Sequence, residues 1–206
     1  MYSPLSSNDA SVGGFEMARA KQIFQFRLCL VEVRPPVWRR IQIPADCTLA
    51  RLHKVVQALM DWQDYHLHEF TVAGQAYGVP DPEDERQVVD ERTVQLRDLG
   101  LSIGGRLEYV YDFGDNWEHV LELEEQMPGV AGTIYPVCIG GERSAPPEDV
   151  GGVSGYEEFL DALSDPDHEE HEHMKAWVGR PFNPAAFSLA QANERLRKKL
   201  RLGKRP

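Results

Sequence analysis

Cysteine is scarce in this chain. Cys29, Cys47 and Cys138 lie far apart and form no CxxC pair. They build no disulfide framework, and they point to a reducing compartment. Long apolar runs are missing too. No stretch approaches the ~20 residues that a membrane-spanning helix needs, and no signal-peptide core opens the chain. These absences predict a cytoplasmic protein with no membrane partner. Positive charge is in deficit, with 22 Lys and Arg against 33 Asp and Glu, for a net charge of -11. Such a surface repels a phosphate backbone, so tight nucleic-acid binding is not expected. The exception is local, since Arg195 to Arg205 holds seven basic residues. Phosphate-loop patterns of the GxxxxGK[ST] or GxGxxG type are absent, as is HExxH, and no base lies at motif spacing from a cysteine.

What is present is a chain of 206 residues, long enough for one medium domain with its own core. Its organising stretch is RLEYVYDFGDNWEHVLELE, Arg106 to Glu124. Leu107, Tyr109, Tyr111 and Phe113 alternate with Arg106, Glu108, Val110 and Asp112, and beyond the turn Trp117, His119, Leu121 and Leu123 alternate with Glu118, Val120, Glu122 and Glu124. Period-two alternation predicts two strands with one face in the core, and Gly114-Asp115-Asn116 predicts the turn.

Upstream, residues 1–20 are rich in Ser, Gly and Asn and predict a disordered leader. Ile23 to Val33 and Val37 to Ile43 alternate around Arg34-Pro35-Pro36 and predict a second hairpin. Thr48 is the expected N-cap of a helix with Leu49, Leu52, Val55, Val56, Leu59 and Met60 at helical spacing. His66 to Val72 predicts a short strand, Gln75 to Tyr77 a pairing segment, and Leu96 to Leu99 a helical turn. Hairpin, helix, strand, helical turn, strand is the order of a β-grasp, a mixed sheet wrapped on one helix. The expected fold is therefore α+β, with a β-grasp-like core over residues 21–125 extended by the strand from Trp117. A shared core of Phe24, Phe26, Leu28, Leu52, Val56, Leu59, Phe70, Tyr109 and Leu121 follows from their common phase. Residues 126–153 predict a Gly/Pro-rich loop. Residues 154–200 predict a helical region with capping boxes at Ser154 and Ser188 and an Asp165-Pro166 helix start. Residues 201–206 predict a disordered basic tail.

Three segments carry a resemblance, in order and at matching spacing: RPPVWRRIQIPADCTLARLHKVVQALMDWQDYHLHEF, YDFGDNWEHVLELE, and YPVCIGGERSAPPEDVGGVSGYEEF with DPDHEEH. Together they resemble the plasmid pRiA4b ORF-3-like family across roughly Gln22 to Leu196. The resemblance implies a protein of plasmids and other mobile elements, some of whose relatives carry a resolvase-like label, with no defined reaction. Cysteines common in that family are here Ala145 and Val150, so a metal site built on them is not expected in this chain. A serine recombinase site is not expected either, because Ser3, Ser6, Ser7 and Ser11 fall in the leader and Arg39 and Arg40 point to opposite sheet faces.

His66 and His68 share one face of a predicted strand, His119 lies on the apolar face of the hairpin, and Asp112 and Asp115 flank its turn. Imidazole and carboxylate together suit a divalent zinc, manganese or iron ion, so these five are the candidate metal ligands. The competing expectation is core-edge histidines bonded to carboxylates, with Asp115 as a turn former. His68 and His119 are expected to converge with an acidic residue. His168 and His171 share a face of a Glu-rich predicted helix and are read as solvated. Trp38, Arg39, Tyr65 and Trp117 are candidate ligand-groove residues, with closure of the core rim as the alternative. Two function classes follow: a non-enzymatic binding or adaptor module of a mobile element, with a protein partner, and a metal-dependent hydrolase or nuclease on the His/Asp set. The first is favoured, because no complete catalytic set can be named.

Overall fold

The computed structural model describes residues 21–83 and 86–203. The leader and the end of the tail lie outside the described residues. Strands β1 (Gln22–Leu30) and β2 (Trp38–Pro44) form the first hairpin. Helix α1 spans Leu49–Met60, with Thr48 accepting from Arg51 N and Asp61 closing the helix at φ 62°. Strands β3 (His68–Val72), β4 (Gln75–Gly78) and β5 (Val89–Asp90) follow, then a 3₁₀ turn at Leu96–Leu99. Strands β6 (Arg106–Tyr111) and β7 (Trp117–Pro128) are the organising hairpin, and β8 spans Val137–Glu142. Helices α2 (Gly152–Ser164), α3 (His171–Val178) and α4 (Leu189–Lys199) complete the chain. Among the described residues no helix is long and apolar enough to cross a membrane.

The eight strands make one sheet in the order β5-β4-β3-β6-β7-β1-β2-β8. It is antiparallel throughout except for the β4–β5 pair at one edge. The coarse expectation holds: an α+β chain with one sheet and four helices among the described residues. One sheet face is buried, as period-two alternation in an antiparallel sheet requires. All nine predicted core residues belong to one apolar cluster with α1. The opposite face is polar, with Arg40 bidentate to Glu124 at 2.6 and 2.8 Å and Arg106 paired to Glu122 at 2.8 Å.

Several expected boundaries need correction. The stretch 126–153 is not simply a loop: β7 runs on to Pro128, and β8 adds to the β2 edge with Ile41 opposite Cys138. Gly140 and Gly141 disguise that strand. Gly141 is needed there, because a Cβ would lie 2.8 Å from both the Phe187 ring and Trp38 O. Ser154 is not an N-cap, since α2 begins two residues earlier after Gly151. Asp165 does not cap the next helix; it heads a turn closed by His168 N to Asp165 O, and α3 starts at His171. Phe113 is 51 % exposed rather than inward, because Asp112 at φ 57° ends the strand phase of β6. Arg201 and Leu202, placed by the sequence in a disordered tail, donate to Lys198 O and Arg197 O, and residues 204–206 lie outside the described residues.

Candidate functional site

The five predicted metal ligands fall in four places. His66 precedes β3 instead of lying in it, so strand alternation does not align it with His68. His68 Nε2 donates to the Glu91 carboxylate at 2.8 Å, and its ring stacks on that of His53. His53 in turn meets Asp64 at 2.6 Å and the Tyr109 hydroxyl at 2.8 Å. Burial, then the neighbouring His68, pushes the His53 pKa down to about 4, against the pull of Asp64. His119 is 1 % exposed. Its Nδ1 lies 2.9 Å from Trp117 O and 3.3 Å from Tyr109 O, which makes Nδ1 the protonated nitrogen. Burial pushes its pKa down to about 4 as well, and its Nε2 has no hydrogen-bond partner among the described residues. The Tyr109 ring stands between the two histidines, 5.9 Å from His68 and 5.4 Å from His119. They share a sheet face without sharing an acid: the partner of His68 is Glu91, and those of His119 are carbonyls. Asp115 is a loop tie, its carboxylate accepting from Gly151 N at 3.2 Å.

His66 and Asp112 do come together, and Asp149 joins them. His66 Nε2 is 3.6 Å from Asp112 Oδ2 and 2.9 Å from Asp149 Oδ1. The ligand atoms of the three residues all lie within 4.8 Å of one another. The ring of His66 is set edge-on against Tyr111, at 5.8 Å. The β6–β7 turn and the segment before α2 are clamped together here. Gly152 permits the approach, since a Cβ on it would sit 2.5 Å from Asp115 O. Asp149 was invisible in the sequence because it lies 37 residues from Asp112 in a Gly/Pro-rich stretch.

The predicted ligand groove does not form as a set. Trp38 lies on the polar face of the sheet under Arg27 and Arg40, each 5.3 Å from its ring. Trp117 is 1 % exposed in the core, while Tyr65 is 74 % exposed at the surface. Arg39, one residue from Trp38, points through the opposite face. Its guanidinium donates to Leu59 O, Trp38 O and Glu142 O at 3.3, 2.7 and 2.8 Å, and lies 4.6 Å over the Phe187 ring. Burial draws its pKa down to about 10, which leaves it charged at neutral pH.

Arg39 forms part of the floor of a cleft of about 520 Å³. The end of α1, the 143–148 segment, the 177–187 region and α4 enclose it. Arg143, Arg180 and Arg195 also line it, with Asp61 and Glu148 as its acids. Asp61 is shared by Arg180 at 3.3 Å and Arg195 at 3.5 Å. Glu148 is occupied by the Tyr111 hydroxyl and Gln63 N, each at 2.7 Å. Arg143 holds φ 67°, and its buried Nε has no hydrogen-bond partner among the described residues. Trp177, Phe182 and Phe187 supply aromatic walls. Of this cleft, sequence reasoning found Arg39 alone. The other arginines come from three separate segments, and only Arg143 lies in a segment that the family resemblance rests on.

Residues 22–191 match the family described as plasmid pRiA4b ORF-3-like protein. The uncharacterized protein y4hQ of Sinorhizobium fredii is 39 % identical over 174 residues, which cover 84 % of this chain and 89 % of that one. The crystal structure of MM3350 from Methanosarcina mazei Go1, a protein of unknown function, superposes with a TM-score of 0.77 at 39 % identity. That match covers 83 % of this chain and 97 % of the other.

Proposed function

We propose that this chain, which belongs to the plasmid pRiA4b ORF-3-like family, is a non-enzymatic binding module whose arginine-lined cleft takes an anionic side chain of a protein partner. The observation that carries the reading is Arg143, whose buried Nε lacks a partner in a cleft shared with Arg39, Arg180 and Arg195. Leaving a buried cationic donor unpaired is costly, and an incoming carboxylate would satisfy it through a charge-assisted bond. The aromatic walls favour an acidic residue with an apolar neighbour. The chain's net charge of -11 disfavours an extended phosphate backbone over a short acidic segment. Ser144 offers no free nucleophile, as its hydroxyl donates to Asn183 O and Ala186 O. Three free thiols are in keeping with a cytoplasmic location.

The test is a fluorescence titration with a short peptide alternating Glu and Phe, read through Trp177, which borders the cleft. Saturable binding that weakens at least tenfold in Arg143→Ala is expected. No saturable change, or equal affinity in the variant, would overturn the reading. The alternative class, a metal-dependent hydrolase or nuclease, keeps His66 and Asp112 of the predicted set. Glu91 engages His68 Nε2 and two carbonyls engage His119 Nδ1, and neither histidine belongs to the cluster of His66, Asp112 and Asp149.

A further inference from the structure

We infer that His66, Asp112 and Asp149 form a site for a divalent first-row transition ion. The inference is independent of the cleft and its anionic ligand.

Two of the three donor spacings bracket the edge of a coordination polyhedron, and all three lie within 4.8 Å. Metal–ligand bonds of about 2.0–2.1 Å around a tetrahedral ion place neighbouring ligand atoms about 3.3 Å apart. His66 Nε2 lies 2.9 Å from one carboxylate oxygen and 3.6 Å from the other, values on either side of that edge. The alignment separates an ion from a proton. A proton bridging two heavy atoms sits on the line between them. His66 Nε2 is buried and, despite the 2.9 Å approach of Asp149, makes no aligned hydrogen bond. A centre held off that line, between all three donors, fits a metal.

The backbone supports the same assignment. Asp112 and Asp149 both occupy the left-handed region, at φ 57° and 59°. Aspartate adopts this region more readily than most residues, and the turn it allows orients the Asp112 carboxylate. Here Asp112 Oδ1 accepts from Gly114 N at 3.0 Å, which leaves Oδ2 facing His66. Asp112 is 8 % exposed. A buried carboxylate beside a second carboxylate gains from a cation between them.

The donor set selects the ion. Magnesium and calcium take oxygen ligands, whereas imidazole with carboxylate suits zinc, manganese or iron. Three protein ligands leave at least one position open. Asp149, with its side chain 63 % exposed, faces solvent, so that position is open to water.

The test uses the full chain without a histidine tag, stripped with chelator and titrated with Zn²⁺, with Co²⁺ absorption as a second readout. One equivalent is expected, with the visible bands of a nitrogen–oxygen site. Asp149→Asn is the decisive variant, because its side chain is mostly exposed and the fold does not depend on it; affinity should fall at least tenfold. His66→Ala should behave alike. Circular dichroism verifies that each variant is folded. Three results would each overturn the inference: no stoichiometric ion on folded wild type, wild-type affinity in Asp149→Asn, or equal competition by millimolar Mg²⁺ or Ca²⁺.

Discussion

The imidazoles of His53 and His68 lie face to face, with centroids 3.5 Å apart and planes 4° from parallel. One ring comes from α1 and the other from β3, so the contact joins helix to sheet. Each is held at its edge by a carboxylate, Asp64 for His53 and Glu91 for His68. Two stacked imidazolium ions would repel, which is part of why His53 stays neutral.

The first prediction concerns acid sensitivity. His53 and His119 titrate near 4 in the fold and near their ordinary 6.5 when unfolded. Between those values the unfolded chain binds more protons, so stability rises with pH. The stabilising effect of neutral burial is complete above about pH 6.5 and is lost as pH falls toward 4. On the order of 3 kcal/mol per histidine is at stake. Urea unfolding at pH 7.5 and 4.5 should show the midpoint falling sharply at the lower value; an unchanged midpoint would contradict both assignments.

His119→Ala should destabilise the protein without touching metal content. The ring fills core space between Tyr109 and Trp62, 5.4 and 5.5 Å away, and its loss leaves a cavity. A cost of about 2–4 kcal/mol is expected from such truncations. Zinc stoichiometry should match wild type; loss of the ion in a folded variant would place His119 in the site after all.

Arg39→Leu removes the donor for three carbonyls at the join of α1, β2 and β8. Buried acceptors left without partners cost about 1–3 kcal/mol each, with partial rescue by water. We expect a loss of several kcal/mol in denaturant titration. Arg39→Lys should recover little, since an ammonium lacks the planar fork that spans the carbonyls.

Gly152→Ala tests the clamp between the β6–β7 turn and α2. The position combines φ 68° with a Cβ path 2.5 Å from Asp115 O. A loss of about 1–3 kcal/mol is expected from strain and overpacking. Because Asp149 rides on the same segment, zinc affinity should drop as well, measured by the same titration. Gly132→Ala is the control, at φ 81° with nothing within 4 Å, where neither the clamp nor the ion is involved.

The alternation of Leu107, Tyr109, Leu121 and their partners, and the helical spacing from Leu49 to Met60, were enough to place the strands, the helix and their common core. Burial of one face is a local demand, written every two or every three to four residues. β8 escaped because Gly140 and Gly141 carry no alternating side chains, and their role depends on Phe187 and Trp38 arriving from elsewhere. The sites were partly legible for the same reason. His66 and Asp112 stood out by residue type, but Asp149 joins them only once the segment before α2 folds onto the β6–β7 turn. His68 and His119 looked like ligands by residue type and face, but Glu91 engages Nε2 of the one, two carbonyls engage Nδ1 of the other, and neither joins His66, Asp112 and Asp149. The cleft belongs wholly to tertiary structure. Arg143, Arg180 and Arg195 are ordinary surface residues in one dimension, and chain packing alone set them around Asp61 and Arg39. Periodicity states which side of an element is dry; it says nothing of which distant side chains meet there.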